Sequence, residues 1–398
     1  MIRHLLKLAW NRKRSNLLVI AEIFASFLVV FCVLTLSLYF ADNYRRPLGF
    51  SFENVWNVQI DLTLSTDDIW TPEDTETFAR VLEEAKHFDG VVAAAGAFTV
   101  PYNFSKSTGV WELNGRTVAV QLDEVTDDFR QVMGLEVTRG RWFAESDSAL
   151  GWRPIVIDEE MAHACFDDED PVGRTLPVHG EKGPEARVVG VVRDFRKDGE
   201  LAGADSFLFQ RVRLLDPESR PPRNILLKMR PGLDASHQEA ILARFRALAP
   251  RWYFELEPLD QKRATSFQMR LGPLAAGGGV AAFLLLMAGL GLVGVLWQNV
   301  TRRTHEIGLR RATGASRADI YRQILLEVAL TTTIGLALGV VLVLQLPLLD
   351  LLGFLSREVF ILGIALSVAA MYILTLVSGV YPALLAARVR PAEAMHQE

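Results

Sequence analysis

Four long apolar runs stand out from a chain that is otherwise mixed in character. They cover residues 17–41, 274–297, 324–349 and 359–386. A helix needs about 20 predominantly apolar residues to cross a bilayer, so each run is long enough to span a membrane. The first run has Glu22 as its only charged residue. It is longer than the apolar core of a secretory signal, which is about 7–15 residues, and is therefore predicted to be an uncleaved anchor.

Residues 42–270 have a different pattern, with charges of both signs, prolines and short alternating runs. Alternation predicts strands at 55–63, 91–100, 110–113, 117–124, 154–157, 187–195, 206–214, 224–229 and 252–257. Helical periodicity and start signals predict helices at 72–88, 126–133, 159–166, 234–248 and 261–269. Two β-α-β units flank the segment, at 55–100 and 224–257. They are expected to form one α+β layer, with residues 104–218 as an inserted subdomain.

Basic residues set the predicted topology, because Lys and Arg concentrate on the cytoplasmic side of a membrane. Segment 1–16, loop 298–323 and the tail with Arg388 and Arg390 are all basic, so both termini are predicted inside and residues 42–270 outside. Segment 1–16 is interpreted either as an amphipathic helix on membrane lipid or as a basic flank. The predicted fold class is a membrane α-helical protein with four transmembrane helices. A large α+β extracytoplasmic domain is inserted between helices 1 and 2.

No group of residues in the sequence is arranged for catalysis. His305 and Glu306 open like a zinc-protease motif, but Leu309 occupies the place of the second histidine. Neither a G-x-S-x-G sequence nor a Walker-type loop occurs. The acidic run 167–170 is interpreted as a charged surface loop rather than a cation site, and Cys32 and Cys165 do not make a disulfide framework. We therefore expect no enzyme activity, no metal, no cofactor and no nucleic-acid partner.

The loop between the second and third apolar runs has an ordered polar pattern. Residues 298–327 contain six arginines, and apolar residues recur there at helical spacing, interrupted by Gly308 and by residues 313–316. This predicts a helix, a tight turn and a second helix with Ser316 as its N-cap and Asp319 at its third position. Arginines that only set the topology would need no fixed order. The order E-I-G-x-R-R-A-x-G-A-S therefore favours a docking helix for a cytoplasmic partner.

Three segments resemble one family, the MacB/FtsX-type (type VII, mechanotransmission) ABC transporter permeases. THEIGLRRATGASRADIYRQILLE is similar to the family pattern REIG-x-RRA-x-GAS-x-x-x-I-x-x-Q-x-x-x-E. The ending YPALLAARVRPAEAMHQE resembles YPA-x-x-A-A-x-x-x-P-x-E-A-L. GRWFAESD, PIVIDEEMAHACF, DPVGRTL and ARVVGVVRDF resemble segments of the family's periplasmic domain. The chain departs from the patterns at His305 and Met395.

The resemblance implies a domain organisation and a set of partners. It identifies residues 42–270 as a MacB-like periplasmic domain and 271–398 as an FtsX-like permease domain in a bacterial inner membrane. It implies cytoplasmic ABC ATPase subunits on a separate chain that bind the ATP. It also implies a second permease copy or a paralogue, with a periplasmic adaptor and an outer-membrane channel as candidate partners. The residues expected to couple to the ATPase are Glu306, Gly308, Arg310, Arg311, Gly314, Ala315 and Ser316.

The function that the resemblance implies is mechanical coupling of ATP hydrolysis to a conformational change outside the membrane, for substrate export. Two alternatives stay open on the sequence. One is a complex of the same architecture that releases lipoproteins or regulates a cell-wall hydrolase. The other, a more remote one, is a membrane sensor that works without an ATPase.

Overall fold

The computed structural model describes residues 13–61, 71–104, 108–113, 116–167, 169–176, 185–212, 221–349 and 351–387. Most of the basic segment 1–16 lies outside these residues, as do Arg388, Arg390 and Asp168 of the acidic run. The chain divides into two compact units. One is a sheet domain, residues 43–270, and the other is a helical unit made of residues 1–42 and 271–398.

The sheet domain is built on one sheet of 11 strands in the part of the chain that the structure describes. The strands are β1 Val55–Asp61, β2 Val91–Ala97, β3 Thr108–Leu113, β4 Arg116–Val125, β5 Val137–Gly140, β6 Arg153–Asp158, β7 Thr175–Leu176, β8 Ala186–Val192, β9 Ser206–Arg211, β10 Asn224–Met229 and β11 Tyr253–Pro258. All nine predicted strands are confirmed; the strand at 224–229 has the predicted ends, and the other eight have shifted ends. The short strands β5 and β7 were not predicted.

The order of strands is β11-β1-β10-β2-β4-β9-β6-β8-β5, with β3 beside β4 and β7 beside β8. The first four strands are antiparallel neighbours, which is the split β-α-β arrangement of the two predicted flanking units. Residues between β2 and β10 extend this same sheet through a single register pair, Ala97 with Val125. The inserted segment therefore continues the layer of the flanking units.

Among the described residues of the sheet domain, four α-helices pack on the sheet. Helix α1, Lys13–Tyr44, belongs to the first apolar run. The helices on the sheet are α2 Pro72–His87, α3 Phe129–Met133, α4 Glu159–Phe166 and α5 Ala235–Leu248. The start of α2 shows why these form where predicted. Thr71 and Asp74 exchange hydrogen bonds in a capping box just before Pro72, and Phe78, Val81, Leu82 and Ala85 then form the buried face.

A buried carboxylate lies where β2 meets β4. Asp123 is 1% exposed and accepts hydrogen bonds from the Phe98 and Thr99 backbone N–H groups at 3.2 and 2.9 Å, and from the Thr99 hydroxyl at 2.8 Å. Burial opposes the ionised form and raises the pKa of Asp123 to about 7, although the hydrogen bonds and Lys197 act in the other direction.

This pKa predicts a pH-dependent stability. Between the ordinary pKa of 3.8 and about 7, the folded protein holds a proton on Asp123 that the unfolded chain has lost. The contribution of this group to stability is therefore complete at acid pH and is lost as the pH rises toward 7. Asp123→Asn keeps the acceptor oxygen without the titration. We expect wild type to lose stability relative to Asp123→Asn as the pH rises from 4 to 8. Thermal unfolding of the full chain measures this difference. An unchanged difference across that range would contradict the assignment.

The helical unit contains four helices that, by length and composition, can cross a membrane, counted over the described residues. They are α1, α6 Leu259–Arg302, α8 Arg317–Val343 and α9 Arg357–Ala387, with the short α7 Thr304–Ala312 between α6 and α8. The shared core of the unit includes Ile23, Phe27 and Phe31 of α1, Leu292 of α6, Leu336 of α8 and Met371 of α9. Thr332 and Thr375, both buried, share a hydrogen bond of 3.0 Å between α8 and α9.

The structure corrects several predicted boundaries. The helix predicted at 261–269 and the second span are one helix, because α6 continues through Pro273 for 44 residues. An interior proline removes a backbone hydrogen bond without having to end the helix. α8 begins at Arg317, directly after the predicted cap, so the second helix of the polar loop and the third apolar run form one helix. α9 continues through Pro382.

Candidate functional site

The candidate site is the short helix α7 with the turns at its two ends. The C-terminal turn depends on Gly314, whose φ of +106° is a conformation that favours glycine. The Ala315 N–H donates to the Arg310 carbonyl at 3.0 Å and the Gly314 N–H donates to the Arg311 carbonyl at 3.2 Å. This pair of bonds is the Schellman motif that ends a helix at a left-handed residue. The predicted tight turn is therefore confirmed.

The next helix begins with the predicted cap. The Asp319 N–H donates to the Ser316 hydroxyl at 3.2 Å, and the Ser316 N–H donates to the Asp319 carboxylate at 3.0 Å. This reciprocal pair is a capping box, which satisfies backbone donors that have no partner within the helix. Helix α7 is thus joined to α8 by a turn whose backbone groups are held on both sides.

The inner face of α7 packs on its neighbours. Ile307 is 8% exposed and lies in an apolar cluster with Val300 of α6, Ile320 of α8 and Ala386 of α9. Gly308, one of the predicted coupling residues, is also buried on this side. This side of α7 therefore packs against the ends of the longer helices.

Two of the predicted coupling residues form ion pairs within the chain. Arg310 Nη2 lies 2.7 Å from Glu306 Oε1, and Arg310 Nη1 donates to the Gln323 side chain at 2.7 Å. Arg303, just before α7, pairs with Glu327 of α8 at 3.0 Å. These contacts hold α7 against α8. The structure brings Glu306 and Arg310 together, while Arg311 and Ala315 are half-buried and Gly314 and Ser316 lie in the exposed turn.

The outer face of α7 consists of His305, Leu309 and Ala312, which are exposed and recur at the spacing of one helix face. Leu309 is 54% exposed. Arg302 and Arg317 are exposed at either end of this face. Sequence reasoning did not place His305 or Leu309 among the coupling residues. The signal was available, because Leu309 follows Ile307 by two positions and two such positions face different sides of a helix.

A small cavity lies behind α7, with a volume of about 40 Å³. Val300, Ile307 and Ile320 form its apolar part, and Arg303 and Glu327 are among its polar lining residues. This volume is enough for water beside the ion pair. Over the described residues, no group of three or more His, Cys, Asp or Glu side chains is placed to hold a metal ion.

Two sequence families match the chain. The MacB-like periplasmic core domain matches residues 20–244, which are more than half of the 398 residues. The FtsX-like permease C-terminal domain matches residues 278–391. The first match takes in most of the sheet domain, and the second contains α7, its turns and the last two spans.

Several curated relatives are similar to the chain. The macrolide export ATP-binding/permease protein MacB of Agrobacterium fabrum is 28% identical over 279 residues, which are 68% of this chain and 42% of the relative. The pyoverdine export ATP-binding/permease protein PvdT of Pseudomonas aeruginosa is 26% identical over 281 residues, 67% of this chain and 41% of the relative. The ABC transporter permease YknZ of Bacillus subtilis is 24% identical over 294 residues, 69% of each chain. The chain spans less than half the length of the first two relatives.

Among solved structures, the periplasmic region of MacB from Actinobacillus actinomycetemcomitans covers 54% of this chain and 92% of its own. Its TM-score is 0.39 and its identity is 15%.

Over the described residues, four helices able to span a membrane, with a large sheet domain after the first of them, and the two family matches together define an ABC transporter permease. The chain belongs to the MacB/FtsX-type permease family. It is an inner-membrane protein with a periplasmic domain. The predicted family and fold class are confirmed.

Proposed function

We propose that this chain couples ATP hydrolysis by a cytoplasmic ABC ATPase to a conformational change of the sheet domain, and that the change drives substrate export. The ATPase binds the outer face of α7. Both termini and α7 lie on the cytoplasmic side, and the sheet domain lies in the periplasm. The basic flanks support this orientation. Export is supported by the names of the relatives, which export macrolides and pyoverdine.

The docking proposal rests on Leu309, which is 54% exposed. It lies between basic residues at the two ends of α7, a helix that is held at both ends. An exposed apolar side chain with a charged rim is typical of the centre of a protein interface. The capping box, the Schellman turn, the Arg303–Glu327 ion pair and the Arg310–Gln323 hydrogen bond keep α7 in one position. A load applied to α7 therefore reaches α8 with little local bending.

The partners of the proposal follow from the same architecture. The ATPase is supplied by a separate chain, and the similarity to YknZ, which is named an ABC transporter permease, supports this. A second permease copy or a paralogue completes the membrane part. A periplasmic adaptor and an outer-membrane channel would receive the substrate. The seven residues predicted for coupling keep two roles in this proposal. Most of these residues position α7, and the exposed ones contribute to the contact with the ATPase.

Leu309→Asp tests the docking face. Placing a charge at the centre of an interface is expected to weaken binding by about tenfold or more. The measurement is the amount of ATPase that copurifies with the tagged full-length chain from detergent extract, together with the ATP hydrolysis of the complex. Val92→Asp is the matched control, because Val92 is 55% exposed but lies on the sheet domain. Equal recovery with Leu309→Asp and Val92→Asp would refute docking through this face. Absence of any ATPase from the wild-type preparation would instead favour the sensor.

A further inference from the structure

A loop of the sheet domain buries an unusual number of charges. After β8 the chain passes through residues 193–205 before β9 begins. Within it Arg196, Lys197, Asp198 and Glu200 are 2%, 3%, 8% and 8% exposed. Charged side chains are rarely buried unless they are paired or hydrogen-bonded. We call residues 196–202 of this segment the 196–202 loop. The partners of its charged groups indicate its role.

Arg196 contacts the end of α1. Its Nη1 donates to the Asn43 carbonyl at 2.8 Å and to the Arg46 carbonyl at 3.2 Å. Asn43 lies in the last turn of α1, where carbonyl groups have no partner within the helix, and a cation is favoured there by the helix dipole. The Arg196 backbone N–H also donates to the Leu48 carbonyl at 3.1 Å. One arginine thus fixes the end of α1 and the segment that follows it.

The acidic residues of the loop contact the start of α6. Glu200 Oε1 lies 2.6 Å from Arg263 Nε, and Asp198 Oδ2 lies 3.9 Å from Arg270 Nη2. Leu259, Arg263, Ser266 and Arg270 recur at the spacing of one helix face, and Leu259 and Ser266 on that face are buried. Helix α6 therefore presents one continuous side to the sheet domain, with its arginines toward the loop.

Aromatic side chains enclose the Arg263 end of this contact. The Arg263 guanidinium lies over the Phe52 ring at 4.8 Å and over the Phe267 ring at 4.7 Å from the ring centres. Burial and the neighbouring Glu200 raise the pKa of Tyr102, so its phenol stays protonated beside that carboxylate. The Glu200 side chain is 10% exposed and that of Arg263 is 30% exposed, so the contact is partly shielded from water.

Guanidinium and carboxylate groups of one loop thus reach two different helices. Arg196 holds α1, and Glu200 and Asp198 hold α6. The Arg196 Nη2 also donates to the Glu200 carbonyl at 2.9 Å, so the two sides of the loop are bonded to each other.

We propose that the 196–202 loop is the joint that fixes the end of α1 and the start of α6 to the sheet domain as one body. This inference rests on the proposed function for its purpose, because a displacement that enters along α1 or α6 would then pass into the sheet at this loop. Arg196 and Glu200 are positioning residues in this scheme, and neither contacts a substrate.

Hydrogen exchange of the full chain in detergent tests the joint without any ATPase. Arg196→Met is expected to raise the exchange of amides 40–48 by about tenfold, and Glu200→Gln that of amides 259–270, as expected for local opening. Amides of β10 should keep their protection in both variants. Arg193→Met is the matched control, since Arg193 is 46% exposed and pairs with an exposed Glu136 at 3.0 Å. It should change neither helix end.

Two results would overturn the joint. One is unchanged exchange at both helix ends, and the other is a uniform rise that includes β10 in the milder Glu200→Gln variant, which would assign the loop to general core stability. A second measurement separates this inference from the proposed function. With the copurified ATPase bound, ATP should change exchange in the sheet domain of wild type but not of Glu200→Gln. If no ATPase binds, the proposed function fails while the first measurement still decides the joint.

Discussion

Gly49→Ala is expected to destabilise the sheet domain by about 3 kcal/mol or more. Gly49 has a φ of +83°, and an added Cβ would lie 1.6 Å from the Asp194 carbonyl oxygen. The backbone strain alone costs roughly 1–2 kcal/mol. The contact is with backbone and not with a flexible side chain, so the segment that carries Leu48 and Phe50 has to move away from the 196–202 loop. Tryptophan fluorescence during chemical unfolding of the full chain would measure the loss.

Gly232→Ala is the matched control for this prediction. Gly232 has a φ of +89°, but nothing lies within 4 Å of an added Cβ. The control variant should therefore be destabilised only by the backbone strain, which costs about 1–2 kcal/mol. If both variants lose the same stability, the close approach of Gly49 to Asp194 does not contribute, and the packing of that segment is looser than the structure shows.

Gly339→Ala is expected to lower the stability of the helical unit by about 1–3 kcal/mol. An added Cβ at Gly339 would lie 2.4 Å from the Phe27 Cδ1 atom, and Phe27 is fully buried between α1 and α8. An added Cβ at Gly335, one turn earlier, would lie 2.9 Å from the Ile23 Cγ2 atom. Small residues allow spanning helices to approach closely, and here they accept large side chains of α1. The loss of stability is measured by thermal unfolding in detergent.

The control for Gly339 is Gly294→Ala in α6, where nothing lies within 4 Å of the new methyl group. Alanine is the better helix former by roughly 0.5–1 kcal/mol, so this variant should be neutral or more stable. A Gly339→Ala protein as stable as Gly294→Ala would show that α1 and α8 do not depend on this contact.

Local signals in the sequence predicted the elements well. Ser316 and Asp319 have the spacing of a capping box, and Pro72 follows a threonine cap, so both helix starts were readable from neighbouring residues. The four spans were readable from length and apolarity. In the candidate site, the helix-turn-helix shape was predicted correctly because glycine and serine determine it locally.

The rest depends on contacts between distant residues. Arg196 lies 153 positions from Asn43, and nothing near either residue indicates that they bond. A run of charges such as 196–200 is typical of a solvated loop. Here these side chains are buried against residues that are distant in the sequence. Likewise Glu306 and Arg310 are predicted to contact the ATPase, and nothing near Arg310 in the sequence indicates that it also bonds to Gln323 within the chain. Which side of α7 faces outward was decided by packing on α6, α8 and α9.

The crossing from β2 to β4 has a mechanical consequence. In the described strands a single register pair, Ala97 with Val125, joins the two parts of the sheet there, whereas six pairs join β1 to β11. Tension applied across the sheet is resisted at this seam by the fewest backbone pairs, and the Asp123 carboxylate replaces part of the missing ladder through Phe98 and Thr99. Since burial raises the pKa of Asp123 to about 7, the contacts across this seam are expected to depend on pH near neutrality.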